Sequence, residues 1–172
     1  RFISWQDTYY TGADGRHYFK DCFIEGAVDY IFGHTTAIFD SCQIHTVRSG
    51  GYKTAASTKE GYAFGYVFFN SRLTSPPDVT GVWLGRPWKT YARTVFFQCV
   101  EYESIHALGW KTWGGREETC FYAEYQCTGP GSDTSGRADW SYQLSDTEAA
   151  AYTMKNIFSK ESSPDFSSDW DP

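Results

Sequence analysis

The sequence predicts an all-β chain wound as a parallel β-helix, and three observations carry that expectation. One pattern recurs four times: "FKDCFI" (19–24), "FDSCQI" (39–44), "FFNSRL" (68–73) and "FFQCVE" (96–101). Each opens on Phe and carries Cys or Ser three residues on, and the starts lie 20, 29 and 28 residues apart. A strand-sized unit repeating every few tens of residues marks a solenoid, because one unit cannot bury its apolar face alone. The third observation is composition: β-branched and aromatic residues fill the segments, and Gly, Asn and Asp gather between them. A leucine-rich repeat lacks its LxxLxL here, and a propeller blade needs about 40 residues. A sandwich with coincidental strands is the ordinary alternative.

The elements follow in order. "RFISWQDTYY" (1–10) reads as strand-like from its first residue, so the chain is taken as a mature or excised segment. In the repeats, Phe19, Phe39, Phe68 and Phe96 are expected to stack in the interior, with Cys22, Cys42, Ser71 and Cys99 as a second row. Stacked parallel strands lie about 4.8 Å apart, so a Cys22–Cys42 disulfide is geometrically feasible; small buried thiols filling the row are the alternative. "GAVDYIFG" (26–33) reads as a buried strand interrupted by Asp29. "GVWLGRPWKTYART" (81–94) is a further extended stretch. "SDTEAAAYTMKNIF" (145–158) opens with Ser145 and Glu148 at capping-box spacing and predicts a short helix on the solenoid's flank. Residues 1–158 form the domain, and the acidic "SKESSPDFSSDWDP" (159–172) is expected to be a loose tail.

Composition narrows the function. The 172 residues carry a net charge of −6 and no basic stripe, which argues against a nucleic-acid binder. No run of 18 apolar residues exists, so no membrane span is expected. The five cysteines, Cys22, Cys42, Cys99, Cys120 and Cys127, include no CxxC pair, so no metal site is expected. Aromatics make up 19% of the chain, as core filler or as platforms for flat apolar faces such as sugar rings.

Asp29 raises the chemical question, since a lone buried carboxylate costs several kcal/mol unless paired. Asp7, in "WQDTYY", precedes it by 22 residues, about one coil. The two carboxylates therefore face the same way on neighbouring coils. Such a pair does not ionise together easily, which provides a proton donor beside an anionic nucleophile. Gln6 can donate to a developing oxyanion. Arg86 can orient Asp29 through a fork of two hydrogen bonds, and Trp88 projects to the same side of an extended strand. The alternative is an Asp–Arg pair that only ties coils together.

"WQDTYY", "GAVDYIFG" and "LGRPW" resemble, in order, three motifs of the pectin methylesterases, YQDTLY, GTVDFIFG and LGRPW. "FYAEYQCTGPGS" (121–132) is similar to that family's FYGEYxNxGPGA, and "TEAAAYT" fits its C-terminal helix. The resemblance implies a right-handed parallel β-helix and hydrolysis of galacturonate methyl esters in pectin. By position it makes Asp29 the nucleophile, Asp7 the general acid and then base, Gln6 an oxyanion donor and Arg86 the partner of Asp29. Trp88 and Arg86 would bind substrate, with Tyr30 and Phe32 as further cleft candidates for which core packing is the alternative. Ala27 and Tyr30 depart from the motif's Thr and Phe. The resemblance implies no cofactor, pectin as partner, a secreted cell-wall setting and a monomer when complete. The family carries a second oxyanion-hole glutamine and several coils upstream of QDTL. The match therefore covers the later part of a catalytic domain, and residues 1–172 alone are expected to be poorly soluble and weakly active. A β-helical glycosidase, which would also use paired carboxylates, and a non-catalytic pectin binder are the rival functions. A Ser–His–Asp site has no G-x-S-x-G, and His17, His34, His45 and His106 fall in no matching motif.

Overall fold

A computed structural model describes residues 1–172. The chain turns through coils of three short strands each. The first coil holds β1 (Phe2–Ile3), β2 (Tyr9–Tyr10) and β3 (Arg16–Lys20), and the second β4 (Phe23–Gly26), β5 (Ile31–Gly33) and β6 (Thr36–Asp40). The third holds β7 (Gln43–Thr46), β8 (Tyr52–Ala56) and β9 (Tyr66–Phe69), and the fourth β10 (Arg72–Thr74), β11 (Trp83–Gly85) and β12 (Arg93–Phe97). β13 (Val100–Glu101), β14 (Phe121–Tyr125) and β15 (Tyr142–Gln143) close the succession. Corresponding strands pair in parallel to make three sheets, ordered β1-β4-β7-β10-β13, β11-β8-β5-β2 and β15-β14-β12-β9-β6-β3. This is the expected right-handed parallel β-helix, the winding sense that parallel crossovers take almost without exception.

The repeat places its residues in register. Phe19 pairs with Phe39, Phe39 with Phe68 and Phe68 with Phe96. Their rings stack face to face, centroids 4.9, 4.5 and 4.6 Å apart, which fills the interior with continuous apolar surface. Two residues after each Phe, the backbone turns through the left-handed region at Asp21, Ser41, Asn70 and Gln98, with φ between 49° and 55°. Such a turn costs roughly 1–2 kcal/mol for a non-glycine residue, least for Asn and Asp. It swings the chain sharply from the third sheet into the first. A fifth repeat, absent from the sequence-based list, begins at Glu124, pairs with Phe96 and turns at Gln126 (φ 46°). Its first position is a carboxylate rather than a Phe, which hid it.

At the C-terminal flank the capping box forms: Ser145 Oγ accepts from the Glu148 amide at 3.3 Å, and Glu148 Oε2 accepts from the Ser145 amide at 2.8 Å. The single expected helix is two turns, α1 (Asp146–Ala149) and α2 (Met154–Ile157). Thr153 breaks it by adopting extended backbone and accepting the Asn156 amide on its hydroxyl, an N-cap inside the run. Ile157 and Phe158 then cover Ile38 and Val67 on the outside of the third sheet. Residues 159–172, the expected tail, run back along this flank. Asp165 accepts from Tyr62 Oη at 2.7 Å and Lys59 Nζ at 3.0 Å, and the Arg16 guanidinium lies 4.5 Å from the Phe166 ring.

Candidate active site

Gly26 ends β4 and Ile31 begins β5, so Asp29 does not interrupt a strand. It sits on the corner between two strands with φ 49°. Asp7 occupies the same corner one coil earlier, between β1 and β2, with φ 54°. Gln6 and Val28 form a parallel bridge, and the Asp7 amide donates to Val28 O at 3.3 Å, which sets the two corners one above the other. The left-handed backbone turns both carboxylates outward, onto the face carried by β2, β5, β8 and β11.

There Asp29 meets Arg86, the residue after β11. In register it lies two strands from the coil of Asp29, and its long side chain reaches back across β8. Nε donates to Asp29 Oδ1 at 2.9 Å and Nη2 to Oδ2 at 2.6 Å. The guanidinium is fixed from both faces, 4.0 Å from the Tyr52 ring centroid and 4.1 Å from that of Trp113. Gly85 makes the close approach of β11 to β8 possible. A Cβ there would stand 2.0 Å from Thr54 Oγ1 and 3.0 Å from the Thr54 carbonyl oxygen. Asp29 is thus nearly buried, at 8% exposure, but fully paired, which is how an ionised carboxylate tolerates that position.

Gln6, Asp7 and Asp29 line one open cavity of about 200 Å³ with Phe32, Ala55, Trp88 and Trp113. The Asp7 pKa is raised above its ordinary 3.8, first by lost hydration in the cleft and then by the Asp29 charge. A carboxyl with a raised pKa therefore stands beside one held by an arginine. Phe32 stacks on Tyr10 with centroids 4.9 Å apart and meets Trp88 at 6.0 Å, giving the cleft an aromatic wall.

The structure thus brings together Gln6, Asp7, Asp29, Phe32, Arg86 and Trp88. Tyr30 stands apart from them: it is fully buried, and its hydroxyl bonds to Thr46 Oγ1 at 2.8 Å in the interior. The reason is the turn at Asp29, after which the next side chain points inward. Two aromatic contributors, Tyr52 and Trp113, escaped the sequence. Tyr52 pairs across strands in a segment with no motif, and Trp113 comes from the long connection between β13 and β14.

Comparison with known proteins is consistent across sequence and fold. A family model described as Pectinesterase matches residues 1–161. Pectinesterase 31 of Arabidopsis thaliana is 41% identical over 165 residues, covering 94% of this chain and 51% of that protein. A pectin methylesterase from carrot superimposes with a TM-score of 0.83 at 36% identity, covering 91% of this chain and 54% of that one. A pectin methylesterase in complex with hexasaccharide VII superimposes with a TM-score of 0.71 at 27% identity, over 91% of this chain and 54% of that one. The chain spans about half the length of these relatives.

Proposed function

Because the chain belongs to the pectinesterase family, we propose that its cleft hydrolyses methyl esters of galacturonate in pectin, with Asp29 as nucleophile and Asp7 as acid and base. The observation that carries this reading is the Arg86–Asp29 fork beside a carboxyl whose pKa is raised. Arg86 holds the Asp29 carboxylate by both oxygens at the edge of the cleft. An Asp29 oxygen attacks the ester carbonyl carbon. The carbonyl oxygen becomes an oxyanion, to which the Gln6 amide donates. As the tetrahedral species collapses, the methoxy group leaves and takes the Asp7 proton, departing as methanol. The acyl group remains on Asp29 as an anhydride. Asp7, now a carboxylate, takes a proton from water, whose oxygen attacks the acyl carbon. Asp29 is expelled as a carboxylate, and the acid product is freed. The proton on Asp7 is thereby restored, so the cycle closes.

Phe32, Trp88 and Trp113 offer flat apolar faces to sugar rings, and the open cleft suits a polymer that extends past the reacting unit. No step calls for a metal or organic cofactor. The reading extends to a secreted, monomeric enzyme acting in plant cell wall or on its debris.

Methanol release from methyl-esterified homogalacturonan, measured beside reducing-end formation, tests the proposal. Methanol without new reducing ends is expected. New reducing ends would indicate the glycosidase, and binding with neither product a pectin-binding module. Asp29→Asn keeps the shape but removes the nucleophile and should abolish release. Gln6→Ala should lower turnover by about 10²–10³-fold, as loss of one oxyanion donor does.

A further inference from the structure

Three aromatic side chains stand at one place on successive coils of the sheet that carries the cleft. Tyr52 opens β8 and Trp83 opens β11, and the two pair in register. Their rings lie parallel within 10°, centroids 6.3 Å apart. One coil further, Val82 bridges to Ile105, which sets His106 over Trp83. The imidazole stacks on the indole with centroids 3.9 Å apart and planes 16° apart. The near end of the column is Tyr52, whose ring centroid lies 4.0 Å from the Arg86 guanidinium. Ring follows ring from the arginine that holds Asp29 to an imidazole that is no part of the cleft lining.

The far end of the column is anchored. The His106 amide donates to Val82 O at 2.8 Å, and the ring Nδ1 accepts the Leu108 amide at 3.1 Å. Burial, and then Lys111, lower the His106 pKa below its ordinary 6.5, which favours the neutral ring that this bond requires. The run from 104 to 111 is tied to β11 along its length. Val82 donates to Ser104 O at 2.7 Å, Leu84 to Gly109 O at 2.8 Å, and Lys111 to Gly85 O at 3.0 Å. The same run continues to Trp113, whose ring centroid lies 4.1 Å from the Arg86 guanidinium. One segment therefore reaches Arg86 twice, directly at Trp113 and through two rings at His106. Arg86 needs such support. Its side chain crosses β8 on several rotatable bonds, and arginine is among the costliest side chains to order. A Tyr52 ring free to turn about its own bonds would release the guanidinium plane.

We propose that Trp83 and His106 are positioning residues for the reaction. They fix the Tyr52 ring, and through it the plane of Arg86 and the two oxygens of Asp29. Their effect on turnover rests on the catalytic reading of Asp29 above; their effect on the fork does not. A fork of two N–H groups orients a carboxylate only while the guanidinium plane is itself held, because both bonds depend on one shared plane. A reacting atom displaced by about 1 Å can lose on the order of 10²-fold in rate, so a looser column is felt at Asp29. Neither Trp83 nor His106 lines the cleft, so binding of the polymer is left as it was.

The test separates the ring of His106 from its hydrogen bond. His106→Asn keeps an acceptor for the Leu108 amide and loses the ring, whereas His106→Phe keeps a ring and loses the acceptor. Hydrogen exchange of the Arg86 Nε–H, followed by proton–nitrogen NMR on the full chain, reads the fork without any substrate. His106→Asn and the ringless Trp83→Leu should each speed that exchange about tenfold, and His106→Phe should leave it within about twofold of the native protein. The Val95 amide, in β12 of another sheet, should keep its native exchange in all three. In the first two variants kcat for methanol release should fall on the order of 3–10-fold with KM unchanged. Faster exchange at Arg86 in a chain that releases no methanol would support the column and remove only the catalytic reading. Native exchange at Arg86 in either His106→Asn or Trp83→Leu would overturn the proposal. So would equal acceleration in His106→Asn and His106→Phe, or a matching rise at Val95, since the effect would then belong to the turn at Leu108 or to general destabilisation.

Discussion

Arg86 holds Asp29 by two parallel hydrogen bonds of 2.9 and 2.6 Å, across 57 residues of sequence and two strands of a sheet. The guanidinium is itself clamped between the Tyr52 and Trp113 rings. The fork is a matter of shape as well as charge. Arg86→Lys keeps the cation but has a single donor head and cannot stack flat between two rings. Its turnover should fall on the order of 10–100-fold while KM for the polymer changes little, because the substrate walls remain. Initial rates of methanol release over a range of substrate concentrations separate the two constants. An equal rise in KM would show that Arg86 acts on the substrate rather than through Asp29.

In the proposed cycle Asp7 enters the first step protonated. Its acid form is populated below its pKa, and that pKa is raised by burial and by the Asp29 charge. The rate of acylation should therefore hold to a higher pH than an unperturbed aspartate would allow, and then fall about tenfold per pH unit as Asp7 ionises. In Asp29→Asn the charge disappears but the lost hydration, the larger cause, stays. The Asp7 carboxyl should then titrate lower than in the native protein yet still above 3.8, as followed by carbon NMR of the labelled side chain.

Lys53 pairs in register with the stretch around Tyr30 and is completely buried. Its Nζ donates to Thr46 Oγ1 at 2.7 Å. Burial lowers its pKa to about 7 from 10.5. The unfolded chain thus binds one more proton than the fold between about pH 7 and 10.5, so this group's contribution to stability rises with pH across that window. Below pH 7 the charge is buried at a full cost of roughly 3–5 kcal/mol. Lys53→Met should raise the melting temperature near pH 6, with the gain shrinking towards pH 10. Thr46 keeps its bond to Tyr30, so little is lost in exchange. Thermal scans of both proteins over this range decide it.

The fold was legible because a parallel β-helix repeats the same local decision in every coil. Phe at one position and a thiol or hydroxyl three residues on suffice to set the register of Phe19, Phe39, Phe68 and Phe96. The repeat at Glu124 was invisible for the same reason, since it substitutes a charge where the pattern expects a ring. Asp7, Asp29 and Arg86 were legible from spacing and motif together. Trp113 and Tyr52 were not, because they reach the cleft through a long connection and a cross-strand contact that no local pattern encodes. For Tyr30 the sequence leaves cleft and core open, and the left-handed turn at Asp29, which reverses the alternation of a strand, sends it to the core.

Glu124 occupies the next place in the Phe row, and its charge is answered inside the solenoid. Arg137 Nε donates to Glu124 Oε2 at 2.9 Å, and Nη2 donates to Glu124 Oε1 and to Glu101 Oε2, each at 2.9 Å. Trp110 adds an indole N–H to Glu124 at 3.3 Å. Both carboxylates are fully buried, and one arginine faces two of them. Burial and the neighbouring Glu124 raise the Glu101 pKa well above 4.5. The fold then binds more protons than the unfolded chain above about pH 4.5, and this contribution to stability is lost as pH rises through the folded value. Arg137→Met alone should cost about 3–5 kcal/mol, since it strands two acids in the interior. Glu101→Gln should flatten the pH dependence, because it keeps the hydrogen-bonding shape without an ionisable group. The combined Glu101→Leu, Glu124→Phe, Arg137→Met variant would extend the Phe stack by one ring and should recover most of the loss. Urea denaturation of the three variants at pH 5 and pH 8 checks this. A combined variant no more stable than Arg137→Met would mean that the charged cluster specifies this end of the solenoid rather than merely occupying it.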